Sequence, residues 1–284
     1  MLKENLRLTI EQAAKVIRWV NDPEPPPLAE VPEGDLYVDV DLGTAYLTLA
    51  VLDQNLQPIA GEYQFAQVAR DGLVVDYAGA VDLVKSMKAR VEKRIGRELT
   101  HAASGYPPGV PQAEVRATAN VVEAAGMLCE SLVDEPTAAN AVIEMQNGAI
   151  VDVGGGTTGI AIIENGEVVF TADEATGGTH LTLVIAGAKD IPFEDAEKLK
   201  VDTTRQKELF PVIRPVFEKV ASIVARQIEG YSVPKIVMVG GTSAFYRADE
   251  VVAEYTGIPT WVPDNPFLVT PLGMAMHQKL GSEG

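Results

Sequence analysis

The stretch AIVDVGGGTTGIAIIENGEVVF, residues 149–170, decides the fold. Its pattern predicts a strand, a glycine-rich turn, a second strand, and an Asn-Gly turn into a third strand. A glycine-rich turn between strands exposes backbone N–H groups and lets a phosphate approach without meeting a Cβ. Asp152 ends the first strand, beside the place of such a phosphate, where its natural partner is Mg²⁺ held through water. The stretch therefore indicates a site for a metal-bound phosphate.

An earlier segment, VDVDLGTAYLTLAV at residues 38–51, repeats this pattern. Asp41 precedes a Gly-Thr turn there, and the flanking strands are typical of a hairpin. One such turn is weak evidence, because glycine-rich hairpins without ligands are common. Two turns that face each other across a cleft would supply two carboxylates to one Mg²⁺ and two sets of amides to one polyphosphate. The repeat predicts two α/β domains of similar design, each with a mixed five-stranded sheet.

The remaining pattern sets the expected boundaries of the domains. Apolar residues at helical spacing predict an N-terminal helix over residues 9–21. The segment PEPPPLAEVPEG, residues 23–34, predicts an extended linker. We therefore expect an N-terminal helix and linker in residues 1–35. Domain I is expected in residues 36–148 plus about 266–284, and domain II in residues 149–265.

Composition excludes several classes of partner. A formal net charge of −17 argues against nucleic acid and anionic membranes, which need clustered lysine and arginine. No apolar stretch reaches the roughly 20 residues of a membrane helix, and the N-terminus lacks a signal-peptide pattern. Cys129 is the single cysteine, so a disulfide within the chain is impossible and a cytoplasmic location is expected.

Five motifs together resemble the actin/DnaK/sugar-kinase ATPase superfamily. Residues 38–51 and 150–163 look like its two phosphate motifs, and VDEPTAANAV (133–142) looks like its first connecting helix. VMVGGTSAF (237–245) resembles the adenosine motif, and NPFLVTPLGMAM (265–276) the second connecting helix. The resemblance implies two actin-like, ribonuclease-H-like domains that flank a nucleotide cleft, with ATP and Mg²⁺ as cofactors.

The resemblance also implies a role for individual residues. Asp41 and Asp152 would hold Mg²⁺, and Glu135 would orient the attacking water. AEKLK (196–200) resembles the helix whose glutamate and lysine contact adenosine. Thr182 departs from DnaK, which has aspartate at that place, although FtsA-like members carry threonine. The residues implied to hold phosphates are Gly43, Thr44, Gly154, Gly155, Gly156 and Thr157, and those implied to hold the nucleoside are Glu197, Lys200, Gly240, Gly241 and Thr242.

Within the superfamily, the short outer inserts resemble the EutJ family of ethanolamine-utilisation proteins, which is chaperone-like. This implies a protein that binds ATP and hydrolyses it slowly, and whose affinity for a protein client depends on its nucleotide state. An ethanolamine-utilisation enzyme or a microcompartment shell is the expected kind of client. The N-terminal helix would then either dock to such a shell or pack on the protein's own body.

Three other functions stay open at this stage. A small-molecule kinase needs a general base for the acceptor hydroxyl, and residues 101–114 offer only Glu114. A filament-forming protein like MreB needs large self-complementary faces, which short inserts do not provide. A scaffold that binds ATP without hydrolysing it needs only the glycine turns and the metal pair.

Overall fold

A computed structural model describes residues 4–70 and 73–282 of the chain. By its internal contacts the chain divides into two compact units. Unit 1 comprises Met1–Glu144 and Leu268–Gly284, and unit 2 comprises Met145–Phe267. Each unit combines a mixed sheet with helices, which is the α/β class that the sequence predicts.

The elements of unit 1 run mostly from strand to helix. Its helices are α1 (Glu4–Val16), α2 (Tyr77–Ile95), α3 (Gln112–Ala124), α4 (Glu135–Ile143) and α9 (Val269–Ser282). Its strands are β1 (Ile17–Trp19), β2 (Tyr37–Leu42), β3 (Tyr46–Leu52), β4 (Pro58–Phe65), β5 (Ala69–Arg70), β6 (Leu73–Val74), β7 (His101–Tyr106) and β8 (Leu128–Asp134). Six of these strands form a sheet in the order β1-β4-β3-β2-β7-β8.

The directions of the strands determine which strand ends of unit 1 lie close together. Strand β2 is antiparallel to β3, as the predicted hairpin requires, and parallel to β7, which is parallel to β8. The carboxyl ends of β2, β7 and β8 therefore lie at one edge of the sheet. Val38 and Val40 of β2 pack into a core with helix α2, while Asp39 and Asp41 lie on the opposite face.

Unit 2 is built around residues 149–170. Its strands β9 (Gly148–Val153), β10 (Thr158–Glu164), β11 (Glu167–Glu174), β12 (Ile236–Val239) and β13 (Thr260–Trp261) form a sheet in the order β11-β10-β9-β12-β13. Its helices are α5 (Gly178–Lys189), α6 (Phe193–Val201), α7 (Gln206–Gln227) and α8 (Ala248–Thr256), with a short 3-10 helix at Gly241–Ala244. A further 3-10 helix at Pro266–Leu268 leads into α9. Within residues 4–70 and 73–282, no helix combines the length and the apolar character needed to cross a membrane.

The N-terminal segment differs from its predicted form. The helix spans Glu4–Val16 instead of residues 9–21, and Ile17–Trp19 is a strand that runs parallel to β4. β-branched Ile17 and aromatic Trp19 favour a strand, and pairing with β4 satisfies their backbone groups. This added strand gives unit 1 six strands in its main sheet, so the prediction of five is wrong for this unit.

The same segment packs against the rest of unit 1. Ile10, Ala13 and Ile17 are buried, and α1 lies against β4. The proline-rich stretch is irregular, and it is held to the last turn of α2 and to Arg97 just beyond it, because Leu28 N donates to Arg94 O at 3.0 Å and Arg97 Nη1 donates to Pro32 O at 2.7 Å. Ile10 and Ala13 of α1 are therefore covered by the chain itself, while Leu8 is exposed.

Two adjacent alanines of α1 test this packing. Ala13 is fully buried, whereas Ala14 is exposed. Ala13→Asp should lower the free energy of unfolding by at least about 3 kcal/mol, because it buries an unpaired carboxylate. The matched control Ala14→Asp should stay within about 0.5 kcal/mol of the parent. Urea unfolding of both variants decides the matter, and equal midpoints would show that α1 is not docked.

Candidate functional site

The turn between β2 and β3 carries the first predicted motif. Asp41 is half-buried near the end of β2 and pairs in register with Thr48 of β3. A Cβ on Gly43 would lie 2.6 Å from the carbonyl oxygen of Tyr46, so the tight turn itself requires glycine at this position. Gly43 therefore has a structural reason to be present, while Thr44 follows it in the same half-buried turn.

The start of helix α4 lies at the same edge of the sheet in unit 1. Asp134 ends β8 and pairs with Tyr106, the last residue of β7. Its Oδ1 accepts a hydrogen bond from Thr137 N at 3.1 Å, which caps α4, and Glu135 is the first residue of that helix. Because β2, β7 and β8 end together, the fold brings Asp41 and Glu135 to one edge. Sequence reasoning missed the capping role of Asp134, although an Asp directly before a helix start with Pro136 in its first turn signals it.

The negative charge of Asp134 affects the pKa of two neighbouring groups. Burial raises the pKa of Tyr106, and Asp134 raises it further. Burial lowers the pKa of His277 on α9, while a hydrogen bond with the Thr137 backbone and the charge of Asp134 partly offset that effect. The edge is thus partly dry and carries negative charge, which is an environment that stabilises a bound cation.

The turn between β9 and β10 is the centre of unit 2. Gly154 N donates to Thr157 O at 3.0 Å, which closes the turn. The carbonyl oxygen of Gly154 accepts from Gly178 N at 2.9 Å and from Thr242 Oγ1 at 2.8 Å. Thr179 N donates to Gly155 O at 2.7 Å. The turn is therefore tied to the first turn of α5 and to the 3-10 helix at Gly241–Ala244.

The glycines of this region have different physical roles. A Cβ on Gly177 would lie 2.7 Å from Gly154 O, and one on Gly178 would lie 2.5 Å from Thr242 Oγ1, so close packing requires both glycines. A Cβ on Gly154 would meet only Thr157 O, at an ordinary 3.7 Å, and Gly154 has no positive φ. Neither packing nor backbone conformation demands glycine at Gly154. Its open side is the approach that a phosphate needs.

Asp152 lies next to the predicted adenosine motif. Its side chain is buried, and in register it pairs with Gly159 of β10 and Val239 of β12. Gly240 has a φ of +83°, and a Cβ there would lie 2.2 Å from Asp152 Oδ1. A side chain at position 240 would collide with the carboxylate of Asp152, so glycine is required there. The fold thus places Asp152 directly beside the segment that begins with Gly240 and Gly241.

A buried polar cluster on α5 and α6 completes this region. Lys200 Nζ lies 2.6 Å from Glu197 Oε2 and 3.0 Å from Thr182 Oγ1, and Thr182 Oγ1 is itself 2.6 Å from Glu197 Oε2. Burial lowers the pKa of Lys200, against the opposing charge and hydrogen bond of Glu197. Glu197 Oε1 is buried and has no hydrogen-bond partner in the described part of the chain. It is an acceptor that fits a hydroxyl or amino group of a nucleoside.

Within each unit, the fold gathers the predicted residues. Unit 1 places Asp41, Gly43, Thr44 and Glu135 at one edge of its sheet. Unit 2 places its predicted residues around the first turn of α5, and these are Asp152, Gly154, Gly155, Gly156, Thr157, Glu197, Lys200, Gly240, Gly241 and Thr242. That these residues bind a ligand remains a prediction.

Comparison with known proteins identifies the family. The ethanolamine utilization protein EutJ of Salmonella typhimurium is 40% identical over 250 residues, which cover 88% of each chain. The crystal structure of EutJ from Carboxydothermus hydrogenoformans superposes with a TM-score of 0.87 at 43% identity, over 96% of this chain and 98% of that one. The chain belongs to the EutJ family.

More distant matches define the wider fold. The EutJ-family chain superposes on MreB5 of Spiroplasma citri bound to AMPPNP with a TM-score of 0.71 at 20% identity, over 89% of this chain and 98% of that one. A family model described as type IV pilus assembly protein PilM matches residues 110–282, so the chain also falls within that wider sequence family. The fold is therefore that of the actin-like ATPases, as the sequence motifs predict.

Asp39 is a residue that the motif analysis left without a role. It lies in the middle of β2 between the partners Ala50 and Ala103, and its side chain is fully buried. Neither carboxyl oxygen has a hydrogen-bond partner among the described residues. Burial raises the pKa of Asp39 well above its ordinary range, and the charge of Asp41 adds to this effect. An aspartate inside an apolar strand was the sequence signal for it.

This raised pKa predicts a pH dependence of stability. Above the ordinary aspartate pKa of about 4 the unfolded chain loses the proton of Asp39 while the folded chain keeps it. The free energy of unfolding therefore falls as pH rises, by up to about 1.4 kcal/mol per pH unit, until the raised pKa is passed. Asp39→Asn removes this contribution, so its stability relative to the parent should grow from pH 4 to pH 7. Urea unfolding in EDTA without nucleotide measures it, and parallel pH profiles would refute the assignment.

Proposed function

We propose that the chain binds Mg-ATP with the turns of both units and hydrolyses it slowly, as a chaperone-like protein of ethanolamine utilisation. The observation that carries the proposal is the arrangement around Gly154 in unit 2. An open glycine turn, a buried Asp152 and an unfilled acceptor on Glu197 lie around the first turn of one helix. This arrangement offers the turn to a phosphate, the carboxylate of Asp152 to a metal ion and the acceptor on Glu197 to a nucleoside.

The phosphates would be held by the turns themselves. In unit 2 the N–H groups of Gly178 and Thr179 at the start of α5 already donate to turn carbonyls. We propose the amides of Gly155, Gly156 and Thr157 as the phosphate-binding ones, with Gly43 and Thr44 as their counterparts in unit 1. Backbone amides need no basic side chain, which is how a chain with a net charge of −17 can hold a polyphosphate.

The metal would be shared by two aspartates. No three His, Cys, Asp or Glu side chains within the described residues are grouped to hold a metal ion. Asp41 and Asp152 would therefore hold Mg²⁺ through water, with phosphate oxygens as further ligands. When bound, Mg²⁺ supplies charge neutralisation to the transferring phosphoryl group.

Glu135 would orient the attacking water, and Glu197 and Lys200 would bind the nucleoside. Glu135 is the first residue of a capped helix. The cap holds its backbone in place at the edge of the sheet where Asp41 lies. A water held by the Glu135 carboxylate would be aligned for attack on the terminal phosphate. Glu197 Oε1 accepts from the nucleoside while Oε2 holds Lys200 and Thr182.

Nucleotide state would set the affinity for a protein client, because a ligand bound more tightly by one arrangement of the units shifts the population toward it. An ethanolamine-utilisation enzyme or a microcompartment shell protein is the proposed kind of client. A small-molecule kinase is less favoured, since among the described residues the short strands β5 and β6 are the only regular elements between β4 and α2. The segment between β7 and α3 also offers no aspartate as a base.

Substitution of Asp152 tests the metal pair. Asp152→Asn should weaken binding of Mg-ATP at least about tenfold, because it removes one negative charge from the metal, and Asp152→Lys should abolish binding. The matched control Asp249→Asn, in the first turn of α8, should bind as the parent does. At an ATP concentration near a hundred times the dissociation constant, the parent should gain about 2.7 kcal/mol of stability. If Asp152→Lys keeps this protection against heating, the metal pair is excluded.

Substitution of Glu135 separates binding from hydrolysis. Glu135→Gln keeps the shape but weakens the acceptor for the water, so single-turnover hydrolysis should slow by about 10²–10⁴-fold. Affinity for ATP should change little, and the control Glu123→Gln should hydrolyse at the parent rate. If Glu135→Gln is as fast as the parent, the residue serves only the start of α4. If no form of the protein hydrolyses ATP above background, the ATP-binding scaffold is the correct function.

A further inference from the structure

A pocket of about 340 Å³ opens in unit 1, between the N-terminal segment, strand β4 and helix α2. The segment contributes two prolines, Pro23 and Pro25, which form an apolar wall, whereas the indole of Trp19 packs against Tyr46 and Tyr63. Strand β4 contributes the backbone of Gly61 and the side chain of Glu62. The pocket therefore has room and apolar surface for a small molecule, and its remaining lining is strongly charged.

Most of the charges in this lining are paired. Arg90 Nε donates to both oxygens of Glu62, at 2.9 and 3.1 Å. Lys93 Nζ lies 2.8 Å from Glu24 Oε1. A looser contact of 3.8 Å joins Arg18 to Asp22. Three carboxylates thus face three of the four cations.

Arg94 is the cation that remains. Its Nη1 donates to the carbonyl oxygen of Val16 at 2.8 Å, which neutralises no charge. Its Nε is buried and lacks a hydrogen-bond acceptor among the residues that the structure describes. Burial lowers the pKa of Arg94, Arg18 lowers it further, and Glu62 offsets only part of this. A half-buried positive charge is therefore left over in this pocket, on a chain of net charge −17.

We infer that this pocket binds a small organic oxyanion, a carboxylate or a phosphate ester carried on a compact apolar body. The guanidinium of Arg94, with Arg18 beside it, supplies positive charge and N–H donors for a carboxylate or a phosphate. Pro23 and Pro25 contact the apolar body. Bound there, the ligand joins the N-terminal segment to α2, so it stabilises the docked form of that segment. The pocket lies outside both glycine turns, so it does not depend on ATP binding.

Titration of the unmodified chain tests the pocket directly. In isothermal titration calorimetry, cyclohexanecarboxylate and cyclohexyl phosphate should give a saturable change in heat. The uncharged isostere cyclohexanecarboxamide should not. The stronger of the two oxyanions identifies the headgroup.

Two arginine variants place the effect in this pocket. Arg94→Gln should weaken binding roughly ten- to a hundredfold, the range expected for a lost charge-assisted hydrogen bond. Arg18→Gln tests the same cluster without touching the bond to Val16, so a folding defect of Arg94→Gln cannot decide the result. The exposed Arg226, paired with Glu174 in unit 2, provides the control Arg226→Gln, which should bind as the parent does. The inference is overturned if neither oxyanion gives a saturable change, if the amide binds equally well, or if both pocket variants bind like the control.

Discussion

The carbonyl oxygen of Gly154 is the point on which the candidate site of unit 2 depends. It accepts one hydrogen bond from the backbone of α5 and one from the hydroxyl of Thr242. The turn, the helix and the adenosine motif are therefore held in one arrangement before any ligand arrives. Such pre-organisation lowers the entropy that binding would otherwise cost. The side of Gly154 that faces away from these contacts stays open, and it is the side that the proposal gives to phosphate.

Sequence alone could predict this part of the molecule because its chemistry is local. An aspartate, a glycine turn and a threonine follow one another within a hairpin, and strand pairing fixes their geometry. Glu197 and Lys200 were placed by resemblance to a known helix, and the structure shows that they form an ion pair whose carboxylate also accepts a hydrogen bond from Thr182. The edge shared by Asp41 and Glu135 depends on parallel pairing of β2, β7 and β8, which no local pattern encodes.

The sequence was least informative where tertiary contacts override local preference. Helical periodicity continued through Ile17 to Val20, yet the open edge of β4 draws Ile17–Trp19 into a strand. That pairing also carries Arg18 to the wall of the pocket beside α2, where it lies opposite Glu62 of β4. Asp39 was overlooked because its neighbours in the chain are ordinary strand residues, and its burial depends on small partners in two other strands. Both features depend on residues distant in the chain.

Under the proposed function, residues of both units bind one metal-bound nucleotide. Isothermal titration of the unmodified chain with ATP, in Mg²⁺ and again in EDTA, measures this binding. We expect one ATP bound per chain in Mg²⁺ and a loss of most of the affinity in EDTA, because two carboxylates without a metal repel the phosphates. No measurable binding in Mg²⁺, or equal affinity in EDTA, would contradict it.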